Sequence, residues 1–237
     1  MITSSRSNPG SFARWCYITL ALVSMASNVQ AQDRRPQFPG AGFQIDMLDR
    51  VLVIDPPVPL TVDAHRRKVR SALQAGGHVV ICRHGATDWL ARDVSDDASV
   101  EEREDRNRQR NLLPLGVAQA EAIGDAVGRL GVKLAPVLST FYFRTREFGQ
   151  IATGQKPEIF DELIATRYPT IETWWRVIAE SQSRPTTTFV AAHGQPAGAM
   201  KIRLGEGDCA VARADGDKRL NVLAVLTAAD WRLLLVP

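Results

Sequence analysis

His78-Val79-Val80-Ile81-Cys82-Arg83-His84-Gly85 is the stretch that decides how this chain folds. Gly76-Gly77 lead into a short apolar run, which stops abruptly on an arginine, a histidine and a glycine. Apolar runs of this length between glycines read as strands buried on both faces of a sheet. A buried strand that ends in Arg-His-Gly delivers a cation and an imidazole to the sheet's carboxyl edge, where open α/β sheets bind ligands. Gly85 is expected to let the backbone come close to a bound anion.

A second apolar run ends in the same way. Phe189-Val190-Ala191-Ala192 leads into His193-Gly194, so two of the four histidines (65, 78, 84 and 193) stand before glycine at strand ends. Between the two runs, Val137-Leu138-Ser139 leads into Thr140-Phe141-Tyr142-Phe143-Arg144-Thr145-Arg146, which puts Arg144 in the first turn of a helix. Parallel neighbouring strands would bring all three ends to one edge. Arg83, Arg144 and both imidazoles would then face a single point. Such a cluster repels itself until an anion neutralises it, and arginine forks match phosphate oxygens two at a time. Backbone N–H groups at a helix start add to that attraction. Like charge from Arg83 and Arg144 is expected to keep His84 neutral. A neutral imidazole is a nucleophile that can attack phosphorus and hold the phosphoryl group covalently. The arginines and His193 would neutralise charge on the equatorial oxygens.

Outward from these runs, helices are predicted over Asp63–Gln74, Pro114–Leu130, Phe143–Ala152 and Ile171–Ser181. The Pro114 helix carries proline near its start and Gly131 at its end. Further strands are predicted at Glu158–Phe160, Asp208–Arg213, Asn221–Thr227 and Trp231–Val236. The alternation argues for a three-layer α/β/α sandwich with a mainly parallel central sheet. Asp93 to Arg110 is dense in charge and reads as a solvated loop or frayed helix; Arg110 could reach a phosphate from it, but among so many charges a solvated face is the favoured reading. Arg146 reads as a salt-bridge partner of Glu147 or Glu121, and Thr87 and Asp88 as caps of the turn after the strand.

Composition bounds the rest. The chain has 237 residues, 45% hydrophobic and 23% charged, which suits an ordinary globular protein. Arg6 and Arg14 precede an apolar run from Trp15 to Met25, and Val29-Gln30-Ala31 supplies a cleavage-like site, so residues 1–31 read as a secretory signal peptide. An uncleaved anchor is the minority reading, because the run is short for a membrane span. Residues 32–59 are expected to form an N-terminal arm carrying Val51-Leu52-Val53-Ile54, and residues 60–237 the main domain. Without the two leader arginines the formal charge of +3 falls to about +1, which gives no reason to expect nucleic acid as partner. Cys82 and Cys209 are the only cysteines after the leader; export permits a disulfide between them, but two cysteines are no disulfide framework, and Cys82 in a buried strand is expected to be a plain core thiol. The chain carries no metal-spaced His/Cys cluster, so neither metal nor other cofactor is expected.

With these residues in place, the chain resembles the histidine phosphatase superfamily, whose fold is called phosphoglycerate-mutase-like. The family's Arg-His-Gly resembles Arg83-His84-Gly85 and implies that His84 accepts the phosphoryl group beside Arg83. Its Ser-Ser-x-x-x-Arg segment resembles Ser139 to Arg144 and implies Arg144 as the second arginine. Its later apolar-His-Gly resembles Ala192-His193-Gly194 and implies His193 as the second histidine. Leu112-x-x-x-Gly116-x-x-Gln119-Ala120 resembles the helix start between these motifs.

Three departures matter. Leu90 stands where many members carry a phosphate-binding asparagine, Ala165 where many carry a glutamate acid, and Gly194 where others carry an aspartate. Breaking a bond to a poor leaving group calls for a proton donor. Glu162 is the candidate substitute acid, with Asp88 and Glu206 behind it; otherwise the substrate has a better leaving group. This reduced pattern resembles the short and the exported members of the superfamily.

The resemblance implies an exported hydrolase, periplasmic or secreted, that cleaves phosphomonoesters or phosphoramidates through a phosphohistidine on His84. A phosphorylated small molecule or glycan would be its substrate, with no stable membrane span after processing. The alternatives are a catalytically silent phosphate-binding protein of the same fold and, more weakly, a phosphoglycerate mutase.

Overall fold

The computed structural model describes residues 52–54, 60–164, 171–194, 204–214 and 219–237. The signal peptide and most of the N-terminal arm lie outside them. Residues 44–237 belong to one compact unit.

Its elements run β1 (Leu52–Ile54), α1 (Asp63–Ala75), β2 (Val79–Arg83), α2 (Val100–Glu104), α3 (Pro114–Leu130), β3 (Leu134–Ser139) and α4 (Phe143–Thr153). They continue with β4 (Glu158–Ile159), α5 (Ile171–Ser181), β5 (Thr187–Ala192), β6 (Cys209–Ala214), β7 (Arg219–Leu226) and α6 (Asp230–Leu233). The seven strands form one sheet in the order β1-β7-β6-β2-β5-β3-β4. β2, β5, β3 and β4 run parallel, β1 runs parallel to β7, and only β6 is antiparallel to its neighbours.

Alternation along the strands builds two cores. Val80 and Cys82 join Leu73, Ile123, Phe148 and Phe189 on one face, while Val79 and Ile81 join Trp174, Ile178 and Val190 on the other. Helices α1, α3 and α4 thus cover one side of the sheet and α5 the other. The expected α/β/α sandwich is what forms, because both faces of β2 and β5 are apolar and each needs a helical layer.

Three expectations need correction. Trp231–Val236 is not a strand: Asp230 starts the short helix α6, its carboxylate accepting from the Thr227 N–H and hydroxyl at 2.8 Å each. Trp231 and Leu234, three apart, are both buried in the first core, and that spacing suits one face of a helical turn rather than a strand. Cys82 is not a free thiol but is disulfide-bonded to Cys209. β2 and β6 pair antiparallel with these residues directly opposite, on one face, so their sulfurs meet.

The third correction concerns Asp93 to Arg110, which is not a loosely solvated run. Arg103 pairs with Asp161 at 3.0 Å, Arg106 with Glu147, and Arg146 with Glu104 at 2.9 Å. Arg146 therefore reaches into this segment instead of pairing with Glu147 or Glu121. The charges fasten the segment to α4 and to the 161–163 turn.

Gly85 also meets a packing demand. A side chain on Gly85 would come within 2.6 Å of the Gly116 carbonyl oxygen, and one on Gly116 within 2.4 Å of the Ala86 carbonyl oxygen. The loop after β2 thus lies backbone to backbone on the first turn of α3, which positions His84.

Candidate active site

Arg83 ends β2 and His84 follows it, so the carboxyl end of the central strand carries the first half of the site. The His84 main chain is held on both sides. Its N–H donates to Ala192 O at 3.0 Å, and its carbonyl accepts from Gly207 N–H at 2.9 Å. Gln119 ties Ala86, two residues on, its Oε1 accepting from Ala86 N–H at 2.8 Å while its Nε2 donates to Glu206 O at 2.9 Å. The Gly116 and Gln119 motif positions of α3 are therefore supports of the loop.

The His84 ring is 2% exposed, and its Nδ1 lies 2.9 Å from Gly85 O. A carbonyl only accepts, so Nδ1 carries the proton and Nε2 keeps its lone pair. Burial lowers the affinity of His84 for a second proton well below the ordinary range, and the charges of Arg144, Arg83 and Arg110 lower it further. His84 is a neutral imidazole.

His193 follows β5, parallel to β2, and its ring stands edge-on to His84 with centroids 5.5 Å apart. Its Nε2 shares a hydrogen bond with Thr140 Oγ1 at 3.1 Å, and Thr140 in turn meets Thr145 Oγ1 at 2.8 Å. Burial first, then the charges of Arg144, Arg110 and Arg83, lower the proton affinity of His193 well below the ordinary range as well.

Arg144, in the first turn of α4, is 5% exposed. Its guanidinium lies 4.1 Å from the Tyr142 ring centre and pairs with Asp93 at 2.6 Å. Arg83 donates to Leu204 O at 3.2 Å and lies 4.0 Å from Glu206. The structure thus brings together His84, Arg83, Arg144 and His193.

It adds residues the sequence reading set aside or did not weigh. Arg110 turns inward from the charged segment, so that its charge bears on both imidazoles and on Arg83 and Arg144. The Nε–H groups of Arg83, Arg110 and Arg144 are buried without an acceptor among the described residues, which leaves donor capacity for an oxyanion. Asp93 pairs with the Arg144 guanidinium and accepts from the Arg110 main-chain N–H at 3.2 Å, which ties the end of the charged segment to the site. In sequence Arg110 and Asp93 are two charges among many, with no local signal to single them out.

The acid candidates fall out differently. Glu206 lies 3.9 Å from His84 Nδ1 and accepts from Thr87 Oγ at 2.8 Å, so it flanks the edge of the ring away from Nε2. Asp88 is exposed and accepts from Leu90 N–H at 2.9 Å, a turn contact. The side chain of Glu162, like Ala165, lies outside the described residues.

Neutral buried imidazoles make stability depend on pH. The unfolded chain protonates its histidines near pH 6.5, whereas His78, His84 and His193 take protons only at lower pH in the fold. Below pH 6.5 the unfolded state therefore binds more protons, and stability falls as pH falls, by about 1.4 kcal/mol per unit of pKa separation for each group. A falling melting temperature between pH 7 and 5 is expected, opposed by added phosphate; an unchanged one would contradict the burial.

Fold and site together define an α/β sandwich whose sheet edge carries an imidazole pair ringed by guanidinium groups. No protein-family model and no curated protein matches the chain. Among solved structures it is similar to the protein histidine phosphatase SixA complexed with tungstate, at 15% identity and a TM-score of 0.49, over 64% of this chain and 97% of that one. It is also similar to an open reading frame product of Mycobacterium tuberculosis, at 16% identity and a TM-score of 0.47, over 64% and 98%. A mycobacterial glucosyl-3-phosphoglycerate phosphatase follows, at 15% identity and a TM-score of 0.41, over 61% and 96%.

Proposed function

We propose that the protein is an exported phosphatase that works through a phosphohistidine on His84. The observation that carries this reading is the state of the His84 ring: Nδ1–H is spent on Gly85 O, and the neutral ring sits within the fields of Arg83, Arg110 and Arg144 beside His193. The Nε2 lone pair would form a bond to phosphorus while the ester P–O bond breaks. The departing oxygen keeps the bonding pair and takes a proton from solvent. Water then adds to phosphorus, the N–P pair returns to Nε2, and the surplus proton leaves to solvent. The three guanidinium groups would hold the equatorial oxygens throughout.

Export is supported by the leader-like N-terminus and by the Cys82–Cys209 disulfide, a bond that persists in oxidising compartments. No helix among the described residues is long and apolar enough to cross a membrane. The test is to quench a turnover of p-nitrophenyl phosphate with denaturant and look for phosphohistidine, labile to acid and stable to base. Phosphate at position 84 is expected; turnover without it would exclude the mechanism.

A second reading is a silent phosphate-binding protein, favoured by the engagement of Asp93 with Arg144 and of Glu206 with Thr87. It requires phosphate to raise the melting temperature with no hydrolysis at any pH.

A further inference from the structure

Trp89 is a large aromatic side chain with 48% of its surface open to solvent, on the loop directly after Arg83-His84-Gly85. Two site arginines hold it. The Arg110 guanidinium lies 4.2 Å from its ring centre and that of Arg83 5.4 Å. Stacked guanidinium groups fix the plane of an indole while their charge attracts an anion.

Exposed apolar side chains stand on the same loop and at the start of α3. Leu90 is 95% exposed, and the Thr87–Leu112 bridge brings the start of α3 alongside, with Leu113 at 41% and Leu115 at 62%. Leu113 N–H donates to Ala86 O at 2.9 Å, which fixes that edge of α3 to the loop. Open apolar surface of this kind marks a binding surface when it is contiguous. Trp89 itself borders the cation cluster.

Resting on the phosphatase reading above, we propose that Trp89 is the platform for the leaving group, and that the substrates are phosphomonoesters of flat aromatic alcohols. The phosphoryl group would sit on Arg83, Arg110 and Arg144, and the aromatic group would lie against the indole. Offset stacking adds to the area it buries. An aromatic alcohol also departs more readily as its anion, since a phenol releases its proton near pH 10. That suits a site whose Asp93 and Glu206 both already act as acceptors.

Non-hydrolysable ligands separate this proposal from turnover. Titration calorimetry of the full-length protein with benzylphosphonate and methylphosphonate is expected to show about a tenfold preference for the benzyl compound. Trp89→Phe should keep most of that ratio, and Trp89→Ala should reduce it to about twofold or less. Wild type binding both phosphonates equally, or Trp89→Ala keeping the full ratio, overturns the platform and leaves the phosphate site standing. Failure of wild type to bind either phosphonate or inorganic phosphate overturns both.

Discussion

His84→Ala is expected to lower the rate of phosphomonoester hydrolysis by about 10⁴-fold or more, leaving only what oriented arginines and water achieve together. The effect should be this large because nothing else described in the site can take the imidazole's place. His193 is committed to Thr140 through Nε2, and its ring meets His84 only edge-on. The substitution removes a buried ring that donates one hydrogen bond to the adjacent carbonyl, so the cost to stability should be about 1 kcal/mol and the variant should fold. Phosphate affinity should survive, because the three guanidinium groups remain. Steady-state kinetics with p-nitrophenyl phosphate, read beside a melting curve and a phosphate titration, make the comparison. A variant that keeps its rate would rule out covalent catalysis at this residue.

Arg144→Ala should be the next most damaging change, with kcat/KM down by about 10³-fold and phosphate binding weakened in the same preparation. Two physical consequences distinguish it from a generic loss of packing. First, Arg144 is the largest charge influence depressing both imidazoles, so its removal should let His84 and His193 take protons at higher pH. The acid limb of the pH–rate profile should therefore move upward, because a protonated His84 has no lone pair to attack with. Second, Asp93 would lose its 2.6 Å partner while still accepting from Arg110 N–H, leaving a carboxylate to repel the incoming phosphate. Arg144→Lys should recover part of the affinity, since an ammonium restores the charge without the planar fork. If the residual activity of Arg144→Ala kept the wild-type acid limb, Arg144 would be too far from the imidazoles in solution to act as described.

Helix and strand periodicity carried well through the middle of the chain, where α3, α5 and β5 lie as the pattern of apolar residues, proline and glycine predicted. It failed at Trp231–Val236, where a run of apolar residues reads as a strand but the Thr227–Asp230 cap starts a helix. Short apolar runs do not separate the two by periodicity alone. It left the Cys82–Cys209 disulfide as the less favoured state, because the pairing of the two residues depends on the register of β2 against β6. Asp93 was illegible and Arg110 was left on the solvated face for the same reason, since only the fold of the 93–110 segment onto α4 brings them to the site.

Local chemistry along the chain determined the strand that ends in Arg83-His84, the strand that ends in His193 and the helix start at Arg144, because burial pattern and turn residues are properties of neighbours in sequence. The tertiary structure alone decided which charges complete the site and that Gly85 serves packing against Gly116. Those outcomes depend on distances between segments far apart along the chain, and on the exclusion of water that makes charges and ring nitrogens act on one another.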